Sequence, residues 1–291
     1  MSGTRDRAGS TIGIALVQLE ADDDLDRNLA RAAALAREAA TGADLVLLPE
    51  YLSFRGSADG YRASARPVPG PTTEPLAAVA RETGTWILAG THAETSGDHR
   101  RPYNTAVLLD PSGAVAARYR KVHLFDVAVD DGPSDTESSR MTPGDRAVVV
   151  SIGPAGLGLS ICYDLRFPEL YRALTHAGAT VLAVPAVFTA RTGRDHWEPL
   201  LRARAIENGA WVLAPAGCGA GGPGAIPAWG HSMVVDPWGR VVAEAGDDEA
   251  ILRATVDLDL VAAVRRQVPA LANVRPDALP PRRDVEIHRA P

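Results

Sequence analysis

Residues 157–170 constrain the fold more than any other part of the chain. Leu157, Leu159 and Ile161 alternate with glycine and serine, which is the period of a strand buried in a sheet. Pro168 and Glu169 then open a helix. Proline lacks only an N–H that the first helical turn leaves unpaired, and glutamate suits the positive end of the helix dipole. A strand that runs directly into a helix is the unit of layered α/β folds. Cys162 falls at the junction, at the carboxyl end of the strand, where open α/β sheets hold their ligands. Unpaired backbone N–H groups at such a junction would lower the thiol pKa and favour the thiolate.

The same grammar recurs along the chain. Residues 11–19 alternate as a strand, and 25–40 carry Leu25, Leu29, Ala32, Ala33 and Ala36 on one helical face before Gly42. The apolar run 45–48 suits a strand covered on both faces. A helix over 72–82 ends at Gly84, a strand covers 85–89, and 103–109 with 114–119 form a hairpin about Asp110-Pro111-Ser112-Gly113. Residues 130–146 read as a long polar loop. Strands over 148–152 and 158–161, a helix over 168–177 and a strand over 180–184 follow. A helix over 195–207, capped by Asp195, precedes a strand over 211–216 and a glycine-rich loop from Gly217 to Trp229. Strands over 231–235, 241–245 and 251–256 lead into a short helix over 259–267. No linker divides the chain. These signals predict one α/β (α+β layered) domain over 11–258, with a helix and a Pro- and Arg-rich tail over 259–291 that extend across a partner subunit or stay mobile.

Composition narrows the function. The 291 residues are 46% hydrophobic, enough for a substantial core. A net charge of −6 without blocks of like charge predicts neither nucleic acid nor a membrane surface as partner. No apolar run is long enough to span a bilayer, and the polar residues 1–10 lack the apolar core of a signal peptide. Two cysteines make no disulfide framework and no zinc pattern, which points to a reducing, cytoplasmic setting. The seven histidines show no metal-ligand spacing, so no metal is expected. The glycines from Gly217 to Gly222 follow a strand but open no helix, so they are not a dinucleotide loop. Cys218 reads as a spare thiol and His231 as a structural histidine.

Three residues of complementary chemistry end three strands: Glu50 in Leu-Pro-Glu-Tyr, Lys121 in Tyr-Arg-Lys-Val-His, and Cys162 in Ile-Cys-Tyr-Asp-Leu-Arg. Brought to one sheet edge, they supply what amide hydrolysis needs. Cys162 would be the nucleophile, Glu50 the proton carrier, and Lys121 with the N–H of Tyr163 the oxyanion donors. His123 reads as a residue that orients the Lys121 strand, and Asp164 and Arg166 as a pair within the turn after Cys162.

These three contexts, in this order, resemble the carbon–nitrogen hydrolase (nitrilase) superfamily. So do Thr142-Pro143-Gly144-Asp145, His196-Trp197-Glu198, the stretch from Arg202 to Asn208, and the stretch from Gly230 to Gly239. The resemblance covers about residues 12–256. It implies a four-layer α-β-β-α sandwich that dimerises by stacking, a Glu50–Lys121–Cys162 triad, a thioester intermediate and no cofactor. It also implies a supporting role for Glu137 in the long loop. Cys162-Tyr163-Asp164-Leu165-Arg166-Phe167 is similar to the Nit branch of amidases, which act on 2-oxo acid ω-amides or deaminated glutathione. The alternatives are an N-carbamoyl hydrolase, a nitrilase, or a non-catalytic binding member. For the substrate's far carboxylate, Arg55 and Arg166 are the candidate contacts, with Phe188 and Thr189 beside them and Arg191 and Arg194 in reserve.

Overall fold

A computed structural model describes residues 10–275 except Asp131 and Pro133. The stretch read as lacking a signal peptide, up to residue 9, and the tail from 276 lie outside the described residues. The first half runs β1 (Thr11–Gln18), α1 (Leu25–Ala39), β2 (Leu45–Leu47), α2 (Ala58–Ala63), α3 (Glu74–Thr83), β3 (Trp86–Glu94), β4 (Tyr103–Leu109) and β5 (Val115–Arg120). A small hairpin follows, β6 (Asp126–Ala128) with β7 (Ser134–Thr136). The second half runs β8 (Val148–Ile152), β9 (Ala155–Leu159), α4 (Pro168–His176), β10 (Val181–Ala183), α5 (Ala190–Asn208) and β11 (Trp211–Ala214). It ends with β12 (Met233–Val235), β13 (Val241–Glu244), β14 (Ala250–Asp257) and α6 (Leu258–Gln267).

Two six-stranded sheets result, ordered β14-β1-β2-β3-β4-β5 and β13-β12-β11-β10-β9-β8. β1, β2 and β3 run parallel, as do β9, β10 and β11. β14 returns antiparallel along the whole of β1, from Thr11↔Asp257 to Gln18↔Ala250, and so closes the last strand onto the first. Alternation along β1 explains the layering. Ile14 and Leu16 join the core between the sheets, whereas Ala15 and Val17 join the core beneath α1 and α3. α4 and α5 pack on β9 and β11 across the other sheet. The expected four-layer α-β-β-α sandwich is therefore the observed one. No helix among the described residues is long and apolar enough to cross a membrane.

Local chemistry sets the ends of the elements. Asp24 caps α1 by accepting from the N–H of Arg27, and Gly84 closes α3 in the left-handed conformation at φ 66°. The β4–β5 turn is fastened by Asp110, whose carboxylate accepts from the N–H groups of Ser112 and Ala114. Three expectations need correction. α5 begins at Ala190, not Asp195. Its first turn is held by packing: a Cβ on Gly193 would lie 2.3 Å from the Trp229 ring. The long loop over 130–146 contains β7 and a 3₁₀ turn, Glu137–Ser139, and the preceding strand β6 pairs with β7. α2 rises within the Gly- and Pro-rich loop after Glu50, with Ser57 accepting from the N–H of Gly60.

His92 sits on β3, fully buried. Burial pushes its imidazole down to about 4 from the usual 6.5, because a charged ring has no water there. A group whose folded pKa is lowered in this way binds fewer protons when folded. Its contribution is fully present above pH 6.5 and is lost as pH falls toward 4. Between pH 7.5 and 4.5, urea unfolding should therefore show His92→Gln gaining about 2.5 kcal/mol relative to the native protein. An unchanged difference between the two proteins would contradict this.

Candidate active site

The expected triad meets where the ends of the two sheets come together. Glu50 lies two residues beyond Leu48, whose N–H extends the β2–β3 pairing to Leu88 O. The chain then turns sharply. Tyr51 adopts φ 53°, and its N–H donates to Thr91 Oγ1 at 2.9 Å. This turn needs Gly90 opposite, since a Cβ there would lie 2.0 Å from Pro49 O. Lys121 is the first residue after β5, with its N–H on Asn104 O at 2.9 Å. Cys162 opens a 3₁₀ turn, Cys162–Arg166, at φ 44°. A left-handed φ is costly for a residue with a side chain and marks a backbone held by its surroundings. Here the Cys162 N–H is fixed to Pro185 O at 3.0 Å.

The charged groups form one buried network. Glu50, Lys121 and Glu137 are 1%, 2% and 1% exposed. The Lys121 ammonium lies 3.1 Å from Glu50 Oε1 and 3.0 Å from Glu137 Oε2. Glu50 Oε1 also accepts from Asn104 Nδ2 at 2.8 Å, and its Oε2 accepts from the Val187 N–H at 2.8 Å. Glu137 accepts from the Tyr51 hydroxyl at 2.8 Å and from the Phe125 N–H at 2.5 Å. The Cys162 thiol donates to Val187 O at 3.7 Å. One peptide segment after β10 thus touches both the acid and the thiol.

Burial would neutralise Lys121, but Glu137 and Glu50 outweigh it and hold the ammonium well above its ordinary range. Burial raises Glu50, with Lys121 opposing. Burial, reinforced by the Glu50 charge, pushes the Cys162 thiol well up, and Lys121 only partly offsets this. The expected thiolate is therefore not the resting form. The backbone N–H of Cys162 that could have stabilised it is already bonded to Pro185 O. The thiol keeps its proton beside a carboxylate able to take it.

Asp164 corrects another expectation, because it does not pair with Arg166. It is fully buried. Its Oδ2 accepts from the Tyr119 hydroxyl at 2.7 Å and the Ile161 N–H at 2.9 Å. Its Oδ1 accepts from the His123 N–H at 3.0 Å and lies 2.7 Å from His123 Nδ1. Asp164 thereby ties the residue before Cys162 to residues on either side of Lys121. His123 stacks on Phe167 with ring centroids 3.7 Å apart. On the far side of the turn, Arg204 forks onto Leu165 O at 3.0 and 2.7 Å.

A cavity of about 310 Å³ opens over this network, with Glu50, Lys121, Glu137 and Cys162 in its lining. Tyr163, Arg55, Arg166, Phe188 and Thr189 all line it as well. Arg55, however, is engaged elsewhere. Its guanidinium donates to Cys218 O, Gly219 O and Ile226 O at 2.6, 3.0 and 2.7 Å, bracing the glycine-rich loop. Arg191 and Arg194 are exposed and outside the lining, and Arg191 pairs with Asp195. The sequence reading missed Asn104 behind Glu50 and, in the cavity wall, Tyr51, Thr192 and the Asp135–Arg140 ion pair. Tyr51 alone carried a signal, its adjacency to Glu50. Among the described residues no group of three or more His, Cys, Asp and Glu side chains is placed to hold a metal ion.

The chain is 38% identical over 269 residues to the mouse "Omega-amidase NIT2", covering 92% of this chain and 96% of that one. It is 43% identical over 261 residues to a "Deaminated glutathione amidase" of Synechocystis, covering 88% and 96%. The crystal structure of Saccharomyces cerevisiae Nit3, described as a member of branch 10 of the nitrilase superfamily, superposes with a TM-score of 0.79. That match is at 32% identity and covers 89% of this chain and 94% of that one. The carbon-nitrogen hydrolase family model matches residues 13–266, and this chain belongs to that family.

Proposed function

We propose that the protein is a cofactor-independent amidase that hydrolyses a small amide bearing a carboxylate at its far end. The substrate class is a 2-oxo acid ω-amide or deaminated glutathione, as the Nit-branch resemblance implies; relatives named omega-amidase and deaminated glutathione amidase support it. The observation that carries this reading is the buried Glu50–Lys121–Glu137 network beside the Cys162 thiol, in a cavity that also presents Arg166.

In the first half-reaction Glu50 accepts the thiol proton as sulfur adds to the amide carbonyl. The oxyanion is held by the Lys121 ammonium and the N–H of Tyr163, which at the start of a helical turn has no acceptor inside it. Collapse breaks the C–N bond. Glu50 returns its proton to the leaving nitrogen, releasing ammonia and leaving a Cys162 thioester. Glu50 then takes a proton from water as water adds to the thioester. Cleavage of the C–S bond gives the carboxylic acid, and the thiol regains its proton. Glu137 keeps Lys121 charged and in place throughout.

A matched panel tests the substrate class: succinamate, its methyl ester and 3-cyanopropanoate. Loss of the carboxylate should lower kcat/KM by about one to three orders of magnitude, roughly 1.5–4 kcal/mol. The nitrile should be turned over poorly. Equal turnover of acid and ester would remove the guanidinium clamp, and preference for the nitrile would reassign the reaction.

The remaining assignments follow from the same reading. The protein works in the cytoplasm, where its two thiols stay reduced. Its catalytic domain spans 11–258, and α6 lies at the interface of a homodimer; the tail from 276 is outside the described residues. Exposed Ile206 and Trp238 support a covered face, and a Cβ on Gly239, beside Trp238, would lie 2.4 Å from Ile206. Sedimentation at micromolar concentration should give twice the chain mass, and a stable monomer would contradict it.

A further inference from the structure

We infer that His196 is a positioning residue for Arg166, holding its guanidinium toward the cavity without neutralising it. The inference rests on the reading of Arg166 as the carboxylate contact. Three guanidiniums line the cavity, and each is held differently. Arg55 is held by three carbonyl oxygens, and Arg140 by Asp135. Among the described residues no carboxylate lies within ion-pair distance of Arg166. Its Nη1 instead meets His196 Nδ1 at 3.2 Å.

A guanidinium has no lone pair to offer, so His196 Nδ1 must be the acceptor and the ring proton must sit on Nε2. The imidazole in this contact is therefore neutral. Aromatic faces complete the cradle. The guanidinium carbon lies 5.1 Å from the Phe188 ring centroid and 5.7 Å from that of Tyr163. The next residue of α5 supports the same cradle. Trp197 packs against Phe188 with centroids 5.0 Å apart and donates its indole N–H to His231 O at 2.7 Å. Adjacent residues His196 and Trp197 thus set both the cation and one of the rings flanking it.

The choice of holder has a chemical consequence. A carboxylate in place of His196 would fix Arg166 equally well but would compete with an anionic substrate for the charge. A neutral acceptor uses one N–H and leaves the full positive charge and the remaining donors for a bidentate contact. His196 itself is outside the cavity lining, so it acts only through Arg166.

The test measures kcat and KM for succinamate and methyl succinamate on the native protein and on His196→Leu, His196→Asn, His196→Glu and Arg166→Leu. His196→Leu should raise KM for succinamate about tenfold, leaving kcat and both constants for the ester within twofold. His196→Asn, whose amide oxygen can replace Nδ1, should restore most of the loss. His196→Glu should keep KM high, since it restores the hydrogen bond but cancels the charge. If His196→Leu leaves the succinamate KM unmoved while Arg166→Leu raises it, the role of His196 is overturned and the Arg166 clamp stands. If His196→Glu binds succinamate as tightly as His196→Asn, the argument from neutrality fails. If Arg166→Leu treats acid and ester alike, both readings fall.

Discussion

Cys162→Ala should release no ammonia above background, a loss of about five to six orders of magnitude in kcat, while folding normally. The catalytic half of this expectation follows from covalent chemistry. No other thiol lines the cavity, and the oxyanion donors have nothing to act on without a nucleophile. The structural half follows from the small part the sulfur plays in packing. The thiol's hydrogen bond to Val187 O is long, at 3.7 Å, and the strained φ of 44° is held by the Cys162 N–H on Pro185 O, which alanine keeps. The substitution should therefore change the urea midpoint little. Rapid quench of the native protein with succinamate, followed by intact-mass spectrometry, should show an acyl adduct on the peptide containing Cys162. An active Cys162→Ala protein, or an adduct on Cys218 instead, would exclude the assignment.

Lys121→Ala should cost both activity and stability, and the two losses should separate on a second substitution. Removing the ammonium leaves Glu50 and Glu137 buried without their shared counter-ion. Breaking a buried pair in this way typically destabilises by about 3–5 kcal/mol. One carboxylate should then take up a proton, since neighbouring buried like charges resist joint ionisation. Activity should fall by about four orders of magnitude, from loss of the oxyanion donor and misprotonation of Glu50. Adding Glu137→Gln should recover much of the stability and none of the activity. Lys121→Arg should also fail, because a planar fork cannot replace a compact ammonium between two carboxylates. Combined with Cys162→Ala, Lys121→Ala should add almost no further loss, as expected of groups that act together. Independent, multiplying losses in kcat would count against a single site.

The parts of this site that were legible in the chain share one property: their meaning is local. Glu50, Lys121 and Cys162 each follow a strand signal directly, so strand ends and chemistry could be read together. Asp164 and Arg166 were misread because adjacency in sequence is not adjacency in a 3₁₀ turn. Asp164 points inward to Tyr119 and His123, and Arg166 points to the cavity. The fate of Arg55 depended on carbonyls more than 160 residues away, which no local pattern encodes. The start of α5 was hidden for the opposite reason. Local propensity argues against a helical turn through Gly193 ahead of the Asp195 cap signal, and packing beneath Trp229 overrides it. Asn104 was silent because an asparagine in a strand has many roles, and only the structure places its amide on Glu50.

The single carboxylate of Asp164 has a consequence for how this sandwich can be altered. Lys121 belongs to the end of one sheet and Cys162 to the end of the other, so the catalytic spacing is a spacing between sheets. In such a design any slip of one layer over the other would detune the reaction, since displacements of about 1 Å can cost a hundredfold in rate. Asp164 pins the two ends together at the point of use, through bonds on both sides of the gap. With the Glu50 bond to the Val187 N–H, it lets the inter-sheet core share the task of alignment. Substitutions among its leucines and valines away from this point should change stability more than rate, read by urea midpoint against kcat. The pin itself has no such latitude.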